Sequence, residues 1–225
     1  MTRFLNQKGN TMLFTLGMLS IMMVMFIFVV NLTKVLAVKE QSNTTAQQAS
    51  LAVTSILYES LWEKFKDYKE IPVLPETPGL PVNKSIEEKV EEREMDLRTN
   101  SSYAHFSEKE LHIEAIDQIL VEELQKPTGK KLKEQMELEM SYQILPEMKD
   151  VARETILDNN GNLEESQLFI KNNRIEIKAS QTVKATTFGE FFKGLEDRLF
   201  QQSAGPKISF LSELSGWSDR TEELD

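Results

Sequence analysis

The sequence predicts an α+β protein in which a long N-terminal transmembrane helix continues as an extracellular helix, followed by a small mixed ectodomain with a β-hairpin. Three observations predict this class. An uncharged apolar run extends from Met12 to Val30, and apolar residues then recur at helical spacing to about Tyr68. Further along, Asn172-Asn173 separates two β-rich segments.

The apolar run has the length of one membrane span. At about 1.5 Å per residue, Met12 to Val30 makes a rod of about 28 Å, close to the hydrocarbon thickness of a bilayer. A secretory signal peptide has a shorter apolar core and a small-x-small cleavage site, for which 35–37 is a faint candidate. A buried core helix of this length normally keeps a polar face. We therefore expect a retained single-pass membrane helix.

The flanking charges bear on the orientation of this span. The α-amino group, Arg3 and Lys8 precede it, and Lys34 and Lys39 follow it, which gives a slim preference for a cytoplasmic N-terminus. The short leader is too small to be a domain. We expect the N-terminus in the cytoplasm, the chain in the cell membrane and the C-terminal domain outside the cell.

Composition excludes several classes of partner and chemistry. The formal net charge is −10, and residues 1–39 carry four cations and no acid, so the part after the anchor sums to −14. This acidic charge argues against nucleic acid or anionic lipid as a partner. The chain contains no cysteine, which excludes a disulfide framework and thiol chemistry.

The pattern divides the chain into segments of different character. Prolines at every third position from Pro72 to Pro81 predict a semi-rigid polyproline II spacer. The predicted division is a cytoplasmic leader at 1–11, a transmembrane helix at 12–33, a helical stalk at 34–70, a Pro-rich linker at 71–83, an α+β ectodomain at 84–212 and an acidic tail at 213–225.

Within the ectodomain, residues 84–99 read as a solvated helix or an extended edge. Ser107 and Glu110 form a capping box that begins a helix, which Pro127-Thr128-Gly129 ends. The remaining elements are predicted in chain order: a strand at 136–144, a short helix after Pro146, the β-hairpin at 166–185, a helix that carries Phe188, Phe191, Phe192, Leu195 and Leu199 on one face, a strand at 207–211 and a frayed C-terminus.

Two groups of polar residues are candidates for a metal site. His105 and His112 lie among glutamates but lack a recognised ligand spacing, so solvated or hydrogen-bonded histidines are favoured. The loop from Asp158 to Glu164 resembles the start of a calcium loop but lacks its glycine and its final glutamate, which favours a polar turn. No catalytic motif is present. We expect no enzyme activity, no cofactor and no metal.

The helix continues through a segment that is rich in small residues. Residues 41–50 are mostly Ala, Ser, Thr and Gln, which allows another helix to approach closely. A solvated amphipathic helix explains the same composition equally well.

The first sixty residues resemble the TadE/TadG-like proteins of Flp (tight adherence) pilus systems. The resemblance is carried by Gln7-Lys8-Gly9, the apolar run, Val30-Asn31-Leu32-Thr33-Lys34, Gln41 and the stretch 45–52. It implies a pilin-like assembly component that works by helix packing, and it places leader processing at Gly9 and Asn10. Phe14 stands where processed pilins carry glutamate, so we expect the anchor to be retained. The implied helix interaction seam consists of Asn31, Gln41, Ala46, Ala49 and Ala52.

Two functions follow as hypotheses. The first is a membrane-anchored pilin-like structural or assembly component, in contact with the membrane and with other pilus or pilin-like subunits as a homo- or hetero-oligomer. The second is a membrane-anchored sensor, or a ligand-binding ectodomain that recognises a cationic or cell-wall ligand through its acidic surface. Neither hypothesis involves nucleic acid.

Overall fold

The computed structural model describes residues 8–69, 84–184 and 196–225. Its longest element is helix α1 (Lys8–Phe65), which is about 87 Å long at 1.5 Å per residue. The prediction that the apolar helix continues as one rod beyond Val30 is therefore confirmed. Most of the predicted leader and the whole Pro-rich linker at 71–83 lie outside the described residues.

Four further α-helices follow in the described part of the chain. They are α2 (Ile86–Thr99), α3 (Glu108–Gln125), α4 (Lys130–Glu139) and α5 (Leu145–Asp158). The helical alternative for 84–99 is thus correct, and Pro127–Gly129 forms a 3-10 turn that separates α3 from α4.

The predicted capping box is present at the start of α3. The backbone N–H of Glu110 donates to Ser107 Oγ (3.3 Å), and the backbone N–H of Ser107 donates to Glu110 Oε2 (2.7 Å). The backbone N–H of Ser107, and then its hydroxyl (2.7 Å), donate to the Glu110 carboxylate and lower its pKa below the ordinary value. Because a lowered pKa favours the ionised form, the stabilisation by this carboxylate is present at neutral pH and is lost as the pH falls through its folded-state pKa.

Replacing Ser107 with alanine is expected to lower the free energy of unfolding by about 1 kcal/mol, because the Glu110 N–H loses its acceptor. The measurement is urea denaturation of the full chain in detergent, followed by circular dichroism. Ser102→Ala, at an exposed serine in the preceding turn, is the control and should change little. Equal effects of the two substitutions would contradict this role of Ser107.

The strand predicted at 136–144 is wrong, because this segment is helical. It forms the end of α4 and a π-helical turn (Met140–Ile144) that leads into α5. Met136, Met140 and Ile144 are fully buried, whereas Leu138 and Tyr142 are 57% and 77% exposed. Every second residue from 136 to 144 is apolar, but only every fourth one is buried in the core, which is the spacing of a helix.

A four-stranded antiparallel sheet follows the helices. Its strands are β1 (Asn162–Lys171), β2 (Arg174–Lys184), β3 (Glu196–Lys207) and β4 (Asp219–Glu223), in the order β3-β2-β1-β4. Asn172 and Asn173 have φ of 52° and 57°, the left-handed values that a tight two-residue turn requires. The predicted β-hairpin is confirmed.

Three predictions for the C-terminal third are wrong. Leu199, predicted on a helix, lies in β3, and the rest of that predicted helical face lies outside the described residues. In place of the strand expected at 207–211, β3 ends at Lys207 and a 3-10 helix (Ser209–Glu213) begins two residues later. The tail is not frayed, since β4 pairs with β1 and Leu224 is fully buried, with its N–H donating to the carbonyl of Ser166 (3.0 Å).

The core lies between the sheet and the helices that cover one of its faces. The C-terminal half of α1 packs across β2 and β3, with α5 beside it. Leu57, Leu61 and Phe65 of α1 are buried in this core. Within the predicted helical stalk at 34–70, the apolar face of α1 thus packs into the core of the same chain.

Candidate membrane helix and assembly surface

The N-terminal half of α1 stands clear of the rest of the protein. Its large apolar side chains from Met12 to Leu36 are exposed, apart from the partly exposed Ile27 and Val30. In the part of the chain that the structure describes, one helix is long and apolar enough to cross a membrane, and none of its apolar window is buried. An uncovered apolar surface of this extent is typical of a segment covered by lipid or by other helices.

Hydroxyl groups within this apolar half bond to their own helix. The hydroxyls of Thr15 and Ser20 donate to the carbonyls four residues earlier, at 2.8 and 3.0 Å, and Thr33 does the same to Val29 at 3.0 Å. These polar side chains therefore need no water or partner to satisfy them, which is the condition for burial in hydrocarbon.

The predicted interaction seam is divided by the fold. Ala46 and Ala49 are completely buried, Asn31 and Ala52 are partly exposed, and Gln41 is exposed. Ala46 and Ala49 thus pack into the core of their own chain, whereas Asn31, Gln41 and Ala52 keep some exposure.

Polar residues on this buried face of α1 bond to the sheet. Ser42 Oγ lies 3.0 Å from the carbonyl oxygen of Ala179 in β2 and 3.2 Å from that of Leu199 in β3. Gln181 Nε2 donates to Thr45 Oγ1 (3.2 Å) and also to the carbonyl of Asn159 (2.9 Å). The small hydroxyl residues of this segment thus fix the helix on the strands.

The backbone of α1 lies close to the backbone of β3, which explains why the residues between them are small. A Cβ added to Gly205 of β3 would lie 2.9 Å from Thr54 Oγ1 and 3.3 Å from the carbonyl oxygen of Ser50. Distances this short leave no room for a side chain on the strand, and only small side chains fit on the helix opposite. The small-residue segment of α1 therefore serves packing within the chain.

Comparison with known families adds one finding about this helix. Residues 9–55 match the Tad family model, described as “Putative Flp pilus-assembly TadE/G-like”. The resemblance stated from the sequence is confirmed over this range, which we call the TadE/G-like segment. It covers the exposed half of α1 and the first part of the buried half. Neither a curated protein nor a solved structure matches the chain significantly.

A buried carboxylate holds the C-terminal end of α1 in place, beyond the TadE/G-like segment. Asp117 of α3, 5% exposed, accepts the hydroxyl of Tyr58 (3.1 Å) and the backbone N–H groups of Ser209 (2.9 Å) and Phe210 (3.2 Å). Burial, and then the charge of Asp117, raise the pKa of Tyr58, so its hydroxyl stays protonated and donates.

Asp117 was not predicted from the sequence. The signal was present, since Asp117 lies among the apolar positions Ile116, Ile119 and Leu120 that helical spacing places in the core. An acid among such positions needs hydrogen-bond donors from elsewhere in the fold. Here these donors come from α1 and from the start of the 3-10 helix (Ser209–Glu213).

The two histidines contact aromatic rings, and one of them also contacts a carboxylate. His112 Nδ1 contacts the carboxylate of Glu94, and its ring packs edge-on against Trp62 at 4.8 Å. The ring of His105 packs against Phe106 at 5.0 Å. Across residues 8–69, 84–184 and 196–225, no three His, Asp or Glu side chains come together to hold a metal ion.

The loop compared with a calcium site is a turn between α5 and β1. Asn160 has φ of 58°, and the side-chain oxygen of Asn162 accepts the N–H of Glu164 at 3.0 Å. The Glu164 carboxylate pairs with Arg198 at 2.9 Å. The side-chain oxygens of Asn162 and Glu164, two of the candidate calcium ligands in this loop, thus bond to groups of the same chain.

Proposed function

We propose that this chain is a membrane-anchored, pilin-like component of a Flp pilus system that acts in structure or assembly through helix packing and protein–protein contacts. One observation carries the proposal. The TadE/G-like segment lies on a helix whose first half is apolar and exposed along its length. Lipid or other helices around such a half-helix would bury its apolar surface, and the match to a pilus-assembly family supports an assembly role.

The packing surface belongs, in this proposal, to the exposed half of α1. Asn31 is kept from the predicted seam, because an amide near the end of an apolar run bonds across helices in a membrane. Ala46 and Ala49 are removed from it. In this proposal the N-terminus is cytoplasmic and the domain is outside, as expected from the sequence. The alternative of an anchored sensor or ligand-binding ectodomain stays a prediction.

Cross-linking within the membrane tests the proposal. The chain has no cysteine, so single cysteines can be placed in turn at residues 22–29 of the full chain, in cells that produce the complete pilus system. We expect intermolecular cross-links whose yield peaks about every three to four positions, because one face of the helix meets its partner.

The control is a cysteine at Ala49, which is small, buried and on the same helix. It should give no cross-link between chains. Monomers alone at all eight membrane positions, or equal yields at all of them, would overturn the proposed packing. Recovery of the full chain in the soluble fraction would overturn the membrane anchor.

A further inference from the structure

One side of α1 above the proposed span is exposed but carries no charge. The eighteen residues from Gln41 to Tyr58 include no Asp, Glu, Lys or Arg, although 28% of the chain is charged. Thr44, Gln48 and Leu51 of this stretch are exposed, and Leu51 keeps 48% exposure. Helical spacing places five residues on this side, which we call the outer face: Ala37, Thr44, Gln48, Leu51 and Ser55.

A solvated helix of the same chain has a different composition. In α2, nine of the fourteen residues are charged, and Glu88, Glu91, Glu92 and Asp96 are among its exposed positions. Charged side chains usually occupy the solvent-facing side of a surface helix. The centres of protein interfaces, in contrast, are depleted of charge. The outer face of α1 therefore has the composition of a contact surface.

The core of the chain uses the opposite side of α1. The residues on that side are buried: Ser42, Ala46, Ala49 and Val53. The outer face ends at Ser55, because α3 crosses α1 above it, where Trp62 packs against His112 at 4.8 Å. From Ala37 to Ser55 the face is about 27 Å long at 1.5 Å per residue. The TadE/G-like segment also ends at residue 55.

The outer face lies outside the hydrocarbon, between two charges of opposite sign. With residues 12–30 across the hydrocarbon, Ala37 is about 10 Å beyond its edge. Lys34 and Glu40 are exposed and lie on opposite flanks of the face, each about 50–70° from its centre at 100° per residue. Lys39 is about 150° away. The borders of the face thus carry one cation and one anion, and neither sign dominates.

The charge of the domain favours this face for contact between copies. The chain after residue 39 has a net charge of −14, so two copies repel each other. No charge lies on the outer face itself. The proposed anchor holds the copies parallel and at one height, so a two-fold axis along the membrane normal brings the face against itself. Gln48 and Thr44 each offer a donor and an acceptor to their counterparts, and Leu51 gains burial.

We propose that two copies of this chain form a parallel dimer through the outer face of α1. The dimer rests on the proposed membrane anchor, and it extends the packing surface of the span into the domain. The two sheets then lie on the outside of the helix pair, because each sheet covers the opposite side of its own α1.

Disulfide cross-linking of single-cysteine chains tests the dimer. Two differently tagged forms of the full chain are produced together in cells that make the complete pilus system, with a cysteine at Leu51, Thr44 or Leu157. Leu157 is the matched control, since it is a leucine of α5 with 54% exposure and lies off the outer face. The measurement is the amount of disulfide-linked dimer with both tags after mild oxidation of isolated membranes.

We expect L51C and T44C to give at least about five times as much two-tag dimer as L157C, because a disulfide forms only where two Cα atoms come within about 7 Å. Gln48→Glu in the L51C chain should lower the yield about threefold, since it places two carboxylates at the two-fold axis. Gln47→Glu is the control, because this exposed glutamine lies about 100° around the helix from Gln48. It should leave the yield unchanged.

Equal dimer yields from L51C, T44C and L157C would overturn the dimer, and so would equal effects of Q48E and Q47E. If the cysteines at 22–29 cross-link but L51C and T44C do not, the outer face is not a contact, and the proposed packing within the membrane stands. If no cysteine cross-links at either level, the dimer and the proposed packing fall together.

Discussion

Replacing Asp117 with alanine is expected to lower the free energy of unfolding by about 3–5 kcal/mol, since each buried donor left without an acceptor costs about 1–3 kcal/mol. Three donors lose their acceptor at once: the Tyr58 hydroxyl and the backbone N–H groups of Ser209 and Phe210. All three lie where water does not easily replace the carboxylate, because Asp117 is 5% exposed. Urea denaturation of the full chain in detergent measures the change.

A matched acid on the same helix provides the control. Glu122 of α3 pairs with Arg93 at 2.6 Å on the surface, and exposed pairs contribute about 0–1 kcal/mol. Glu122→Ala should therefore change stability little. If D117A and E122A have the same small effect, Asp117 does not organise the junction of α1, α3 and the 3-10 helix.

A double-mutant cycle separates the Tyr58 bond from the two backbone bonds. Tyr58→Phe removes the hydroxyl but keeps the ring, which packs edge-on against Phe210 at 5.9 Å. In the D117A background, the same substitution removes a donor that is already unpaired, so it should cost less than it does in the wild-type chain. Additive effects would mean that Tyr58 and Asp117 do not act as a pair.

The elements that the sequence predicts well are those with strong local signals. The uncharged apolar run is long enough for a membrane helix, and α1 contains the whole of it. The Ser107–Glu110 box marks the start of α3 by hydrogen bonds within one turn. The Asn172-Asn173 turn requires left-handed φ values that asparagine tolerates. Each of these features is decided within a few residues of the chain.

The elements that the sequence misses are decided by distant contacts. Every second residue from Met136 to Ile144 is apolar, and only the core reveals that Leu138 and Tyr142 face outward. The acidic C-terminal segment has little strand propensity, but it pairs with the open edge of β1 and buries Leu224. Local propensity is a weak guide where tertiary pairing supplies the hydrogen bonds.

The assembly surface shows the same limit. A segment of small residues on a membrane-proximal helix predicts close approach by a second backbone, and the structure has such an approach. The second backbone is β3 of the same chain, at Gly205. The small residues of α1 indicate that another backbone comes close to the helix, but they do not show whether that backbone belongs to the same chain or to another.

Replacing Ala49 with leucine is expected to lower the free energy of unfolding by about 2–3 kcal/mol, because extra methylene groups in a close-packed core force the helix off the sheet. Ala49 is completely buried, and the hydroxyl bonds from Ser42 to Ala179 and Leu199 tie the same face of α1 to the strands. Displacement of the helix weakens these bonds as well. Gln48→Leu adds apolar bulk at the exposed neighbouring position and should leave stability nearly unchanged. An A49L chain that unfolds like wild type but loses its cross-links between chains would return Ala49 to the intermolecular seam.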